Sequence, residues 1–185
     1  MNKVYVLIGP PASGKTSIIN ELARYGIPEM VSHTTRKPRA GEVHGINYYF
    51  VSKEEFQKIE LIERAEYSGN LYGLSKTEVL EKVNKHPVTA VAVNTQGLAQ
   101  LKKLLANRVE SIFIMSDEEA IIDRMIERGD SSDLINRRIE YAKNTGEFCN
   151  WQSANHVVKN MGSLDTAVSQ ILAIMGKTTL PPRTE

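Results

Sequence analysis

Residues 9 to 16 read Gly-Pro-Pro-Ala-Ser-Gly-Lys-Thr, a fit to G-x-x-x-x-G-K-[ST] with the flanks that pattern requires. Before it, Val4 to Ile8 is a short continuous apolar run, β-branched at several positions, that reads as a buried parallel strand. After it, Ser17 to Tyr25 places Ile18, Ile19 and Leu22 at helical spacing. Gly9 and Gly14 permit backbone angles that turn successive N–H groups inward, so the loop can wrap a β-phosphate at the positive end of the next helix. Lys15 can reach the β- and γ-phosphates, and Thr16 offers its hydroxyl to a Mg²⁺ bridging phosphate oxygens. Gly9, Pro10, Pro11, Ala12, Ser13, Gly14, Lys15, Thr16 and Ser17 are thus the expected ATP-binding segment, with Thr16 the metal ligand and Lys15 catalytic.

A strand that breaks into such a loop and then a helix commits the chain to an α/β architecture, and the alternation continues downstream. Val88 to Val93 reads as a strand, Leu98 to Leu105 as a helix, Ser111 to Met115 as a strand and Glu118 to Arg128 as a charged amphipathic helix. Val157 and Val158 make a last short strand before a closing helix from about Leu164 to Met175. Strands spaced by helices of this length imply right-handed crossovers and a parallel sheet covered on both faces. Between Val31 and Glu78 the texture changes to short strand-like pieces, Tyr48 to Val51 and Ala65 to Ser68, with glycines at 41, 45, 69 and 73 and a brief helix near Glu54 to Ile59. This is the signature of a small inserted subdomain.

At 185 residues the chain is expected to form one domain. The expected division is a core over 1–31 and 85–177, an insertion over 32–84, and a polar, proline-containing flexible tail, TTLPPRTE, over 178–185. With 23 Lys and Arg against 22 Asp and Glu, the net charge of +1 excludes the broad basic surface that grips duplex nucleic acid through phosphates alone. No apolar run approaches the ~18 residues of a membrane span, and MNKVYVLIG lacks the long apolar region of a signal peptide. A soluble cytoplasmic protein without membrane or nucleic-acid partners is expected, and oligomeric state is open. The single Cys149 cannot form an internal disulfide and reads as a buried or incidental thiol. His33, His44, His86 and His156 show no ligand spacing, and Trp151 reads as packing.

Ser32-His33-Thr34-Thr35-Arg36-Lys37-Pro38-Arg39-Ala40-Gly41-Glu42 puts two arginines three apart around a proline at the entry to the insertion. Each guanidinium fork pairs two phosphate oxygens at once, so Arg36 and Arg39 with the Tyr48 hydroxyl would suit a monophosphate; a solvated basic loop is the alternative on residues alone. Arg124 and Arg128 lie four apart on one side of a helix, and Arg137 and Arg138 follow on a stretch with Asp133 as the expected N-cap. Acids alternate with these arginines, so an ordinary salt-bridged helix surface is again the alternative.

Taken together, the phosphate loop, SHTTRKPRAGE, Gly45-Ile46-Asn47-Tyr48-Tyr49-Phe50 and Glu66-Tyr67-Ser68-Gly69-Asn70-Leu71-Tyr72-Gly73 resemble the guanylate kinase family in order and spacing over nearly the whole chain. The resemblance implies a P-loop NTPase-type parallel sheet with helices on both faces, an inserted α+β subdomain for a nucleoside monophosphate, and a helical lid over about 124–146. It implies that Arg36, Arg39, Tyr48 and Tyr72 hold the acceptor's phosphate, and that Ser32 and Glu63 face its base. It maps Arg124, Arg128 and Arg138 onto lid arginines that contact the triphosphate, leaves Arg137 at the surface, and puts Asn160 near the donor adenine. A carboxylate at Glu63 also makes independent sense, since guanine offers two adjacent donors, N1–H and the N2 amino group, to an acceptor-only side chain.

Three positions depart from the family pattern. Leu74 stands where a Ser or Thr hydroxyl usually helps read the base, and Ala92 and Asn94 stand where the strand end usually carries acids for the metal's water shell and the base. Asn94 keeps an amide that partly compensates. The implied reaction is transfer of the ATP γ-phosphoryl to GMP or dGMP, with Mg²⁺ held mainly by Thr16, phosphate oxygens and water. The alternatives are a related enzyme with shifted monophosphate specificity, a non-catalytic protein-binding module, and a P-loop kinase for a non-nucleotide metabolite.

Overall fold

The computed structural model describes residues 1–39, 41–67 and 69–177. The tail expected over 178–185 lies outside them. The first strand, β1 (Lys3–Ile8), sits in the middle of a four-stranded parallel sheet and is followed by α1 (Lys15–Ala23). The chain then leaves the sheet for a second one, built from β2 (His33–Thr34), β3 (Tyr49–Phe50), β4 (Leu61–Tyr67) and β5 (Asn70–Ser75), with a one-turn helix α2 (Lys53–Phe56) between β3 and β4. It returns through α3 (Lys76–Lys85) to β6 (Val88–Ala92), α4 (Thr95–Leu105), β7 (Val109–Met115), α5 (Glu118–Glu127), α6 (Ser132–Asn144), β8 (His156–Lys159) and α7 (Leu164–Ile174). The core sheet runs β6-β1-β7-β8, and the inserted sheet β3-β2-β5-β4.

The alternation within β1 explains why the core has two faces. Val4, Val6 and Ile8 pack with Val91, Leu98, Leu101, Phe113 and the α3 residues Val79 and Val83. Tyr5 and Leu7 point the other way, against Ile18, Ile19 and Leu22 of α1 and Ile171 and Leu172 of α7. Burial on both faces is what a central parallel strand demands, and each such side chain contributes about 1.5–3 kcal/mol. The expected doubly covered parallel sheet is therefore present.

The insertion is held in shape by polar devices rather than by volume. Thr34 Oγ1 donates to Leu71 O at 2.9 Å and accepts from Arg36 N at 3.2 Å, fixing the chain just before the arginines. Ser52 and Glu55 form a reciprocal capping box on α2. Ile121 and Met125 of α5 meet Ile135 and Ile139 of α6, and Ala12 of the phosphate loop and Phe148 pack against the same cluster.

Four local expectations change. The α6 N-cap is Ser131, whose side chain accepts from Leu134 N, and Asp133 sits in the first turn, where its charge favours the helix dipole. Helix α3 was not visible in the sequence, because only Val79 and Val83 mark its buried face among charged neighbours. Cys149 is exposed, so of the two readings, buried or incidental, the buried one falls away. Strand β4 starts at Leu61, four residues before Ala65. Among the described residues no helix is long and apolar enough to cross a membrane.

Candidate active site

The turn from β1 into α1 is shaped by close approaches that only glycine allows. Gly9 has φ 142°, and a Cβ there would lie 2.5 Å from Ile114 O on the neighbouring strand. Gly14 has φ 97° and caps α1; a Cβ on it would run into the Asn160 side-chain amide. No side chain caps α1, so its first-turn N–H groups face the loop with no internal partner, the arrangement that receives an anion. Pro10 O accepts from Ser13 N at 3.3 Å and closes the loop.

Lys15 is folded back onto this loop. Its Nζ donates to Gly9 O and Pro10 O, both at 2.7 Å. Burial lowers its pKa from 10.5 to about 8, the Glu147 carboxylate opposes that change, and Arg128 adds to it. Glu147 in turn is raised by burial and lowered by Lys15. The loop ammonium thus feels the Glu147 carboxylate and the Arg128 guanidinium, and Glu147 is a neighbour that the sequence did not announce.

The predicted arginines divide by role. Arg124 braces the back of the loop: Nη1 donates to Ala12 O at 3.2 Å and Ser116 Oγ at 3.0 Å, and Nη2 to Asn160 O at 2.9 Å. Arg128 lines a cleft with Gly14, Ser17, Arg124 and Asn160 on that side of the loop. Arg138 forms an ion pair with Asp130 at 2.8 Å. Asn160 is buried, and its Nδ2 donates to Ser13 O at 2.8 Å, so its side chain supports the loop from beneath, at the edge of the same cleft.

On the other side of the loop a second cleft is lined by Thr16 and Asn20 of α1, Ser32, Glu42, Tyr48, Ala92 and, unannounced by the sequence, Glu29. Arg36 stands at this cleft with its fork on Glu42, Nη1 to Oε2 at 2.9 Å and Nη2 to Oε1 at 2.7 Å, and its guanidinium carbon 5.5 Å from the Tyr48 ring centre. The pair holds Glu42 below its ordinary range, with the Arg36 hydrogen bonds as the main cause. Tyr48 and Tyr72 meet edge to face at 5.9 Å, so Arg36, Tyr48 and Tyr72 form one cluster. Arg39 is exposed and contributes its backbone N–H to Glu42 at 2.7 Å.

Glu63 and Asn94 come together at the start of α4. Asn94 caps that helix, its Oδ1 accepting from Gly97 N at 2.8 Å. A Cβ on Gly97 would lie 2.8 Å from Glu63 Cγ, so glycine there is what lets the Glu63 stem pass under the helix. Burial raises the Glu63 carboxyl to about 7, and among the described residues no hydrogen bond or ion pair offsets that burial. Leu74, directly paired with Glu63 across the two strands, is fully buried in the core, and the Ser75 hydroxyl beside it is used to cap α3.

A family model described as guanylate kinase matches residues 1–178. The chain belongs to the guanylate kinase family. A guanylate kinase of Hahella chejuensis is 33% identical over 180 residues, covering 93% of this chain and 85% of that one. One from Pseudomonas fluorescens is 37% identical over 147 residues, 75% of this chain and 71% of that one. The crystal structure of guanylate kinase from Anaplasma phagocytophilum superposes with a TM-score of 0.70 at 26% identity, covering 98% of this chain and 88% of that one. The guanylate kinase match spans both sheets and helices α5 and α6, and with it the P-loop α/β fold expected from the sequence.

Proposed function

We propose that this chain transfers the γ-phosphoryl of ATP to GMP, giving ADP and GDP. The observation that carries the proposal is the pairing of an uncapped, glycine-shaped loop around Lys15 with a half-buried, unneutralised carboxylate at Glu63, in a chain that also gathers Arg36, Tyr48 and Tyr72 into one cluster. The loop supplies N–H groups and an ammonium for a triphosphate; Glu63 supplies two acceptor oxygens for the paired donors of guanine.

In this reading the first-turn N–H groups of α1 and Lys15 hold the β- and γ-phosphates, and Lys15 exchanges its two loop carbonyls for phosphate oxygens. Arg36, kept in position by Glu42 and Tyr48, takes the acceptor's phosphate, with Arg39 closing over it. Arg128 and Arg138 meet the charge that spreads over the transferring group's equatorial oxygens, while Arg124 and Asn160 keep the loop rigid. Placement and charge compensation are the protein's whole task, since no side-chain nucleophile is required. Lid and insertion closing over both nucleotides exclude water, which would otherwise hydrolyse ATP.

Thr16 and the acids of the acceptor-side cleft are hard oxygen donors, which suits Mg²⁺. Among the described residues no cluster of three or more His, Cys, Asp or Glu side chains could hold a metal alone. We infer that Thr16 receives the cation with the nucleotide. Bound there, Mg²⁺ would neutralise phosphate charge and polarise the transferring group.

Leu74, buried in the core, puts no hydroxyl directly after Gly73 to donate to the guanine O6, which favours looser base discrimination than a fully hydrogen-bonded site gives. A coupled ADP-release assay over ribo- and deoxynucleoside monophosphates tests the assignment. GMP and dGMP are expected to turn over fastest, and Lys15→Ala to lower the rate steeply with the fold intact; equal rates for AMP and GMP, or a rate insensitive to Lys15, would refute it.

A further inference from the structure

Beyond Thr16, the acceptor-side cleft contains an acid whose role none of the motifs explains. Glu29 follows the buried Ile27 on an edge segment that pairs in parallel with Ala90 of β6, with Met30 N donating to Ala90 O at 2.9 Å and Ala90 N donating to Pro28 O at 3.0 Å. That register puts Glu29 on the same sheet face as Ala90 and Ala92, above the first turns of α1, where it lines one cleft with Thr16, Asn20 and Ala92. Among the described residues the structure gives the Glu29 carboxyl no hydrogen bond or ion pair; the nearby Lys82 is engaged with Glu78 at 3.7 Å. A half-buried acid with no hydrogen-bond partner, and Lys82 acting on it only through space, is left with both carboxyl oxygens available to a ligand in the cleft.

P-loop enzymes pair the loop Ser/Thr with a carboxylate at the end of an adjacent strand, which orients the cation. Here the adjacent strand is β6, and it ends in Ala92, which has nothing to offer. We propose that Glu29 supplies this carboxylate from the neighbouring edge segment, accepting hydrogen bonds from the water shell of the Mg²⁺ that enters with ATP, so that the charge missing at Ala92 is relocated one strand outward. Glu29 is then a positioning residue, acting on the metal through water. This assignment rests on the metal–nucleotide reading of the phosphate loop.

The test is Mn²⁺ binding, followed by electron paramagnetic resonance, to the full chain saturated with a non-hydrolysable ATP analogue. Glu29→Gln is expected to weaken Mn²⁺ about 10- to 100-fold, the usual effect of losing an outer-shell partner, while leaving analogue affinity in EDTA unchanged. Adding Ala92→Asp to Glu29→Gln is expected to restore most of the Mn²⁺ affinity, because the two positions face one cleft. Mn²⁺ affinity within twofold of wild type, with GMP affinity reduced instead, would show that Glu29 serves the acceptor and overturn the proposal. A parallel loss of analogue affinity in EDTA without rescue by Ala92→Asp would assign it a structural role and equally overturn it. If the wild-type complex itself takes up no Mn²⁺, the metal–nucleotide reading fails and this one with it; a wild-type complex that binds Mn²⁺ indifferently to Glu29 defeats only this one.

Discussion

Replacing Glu63 by glutamine separates what the carboxylate costs the fold from what it gives the acceptor. Burial moves this group from 4.5 to about 7, which at 1.36 kcal/mol per pKa unit is about 3 kcal/mol spent to keep the charge above neutrality. Because the folded pKa is raised above the unfolded one, stability is fully present below about pH 4.5 and is lost as pH rises through about 7. Glu63→Gln is therefore expected to be more stable than wild type by about 2–3 kcal/mol at pH 8 and equal to it near pH 4.5, read from urea unfolding. Binding shows the opposite sign. In the proposed site ionised Glu63 accepts from two guanine donors, and an amide turns one acceptor into a donor facing a donor, so GMP affinity at pH 8 should fall about 100-fold. Lowering the pH to about 5.5 leaves roughly 3% of a group with a pKa near 7 ionised, so the ratio of wild-type to variant affinity should shrink about 30-fold. Taking the ratio cancels the phosphate's own titration near 6. Isothermal titration calorimetry across this range measures it. A ratio near one, or one independent of pH, would refute Glu63 as the base reader.

The phosphate loop yields further expectations. Gly14→Ala forces a left-handed φ on alanine and collides with the Asn160 amide, so it should cost about 2 kcal/mol or more in thermal unfolding and abolish ATP-analogue binding. Arg124→Ala removes three hydrogen bonds to Ala12, Ser116 and Asn160; a stability loss of about 3 kcal/mol is expected by denaturant titration, with weaker ATP binding because the loop loses its brace. Lys15, at about 8 without nucleotide, should be fully charged beside a triphosphate, so ATP binding at pH 8 should take up about half a proton. Calorimetry in two buffers of different ionisation enthalpy detects that uptake, and identical apparent enthalpies would contradict it.

How much of this was legible in the sequence follows the range of the interactions. The phosphate loop and β1 are contiguous, so spacing and β-branched content sufficed to place both. Arg36 and Tyr48 are likewise within one short segment. Helix α3 was hidden because its apolar face amounts to two valines, Val79 and Val83, and its burial comes from the distant β1 and α4. The sequence places Asn160 near the donor adenine only through resemblance; what it could not show is the Asn160 amide donating to Ser13 O, 147 positions away, at the edge of the cleft that Arg128 lines. Glu29 and Glu147 carry no motif at all; only the packing of an edge segment beside β6, and of the turn after α6 near Lys15, brings them to the site. The missing charge at Ala92 was visible in the sequence, but the acid that shares its cleft was not, because the pairing of Glu29 with Ala90 is a tertiary contact.

The central claim, two neighbouring anion cradles that pass a phosphoryl group between them, is tested most directly by a single turnover with γ-labelled ATP and unlabelled GMP on excess protein. The label is predicted to appear in the β-position of GDP, with little free phosphate. Label released as inorganic phosphate, or retained in ATP while GMP is bound, would contradict it.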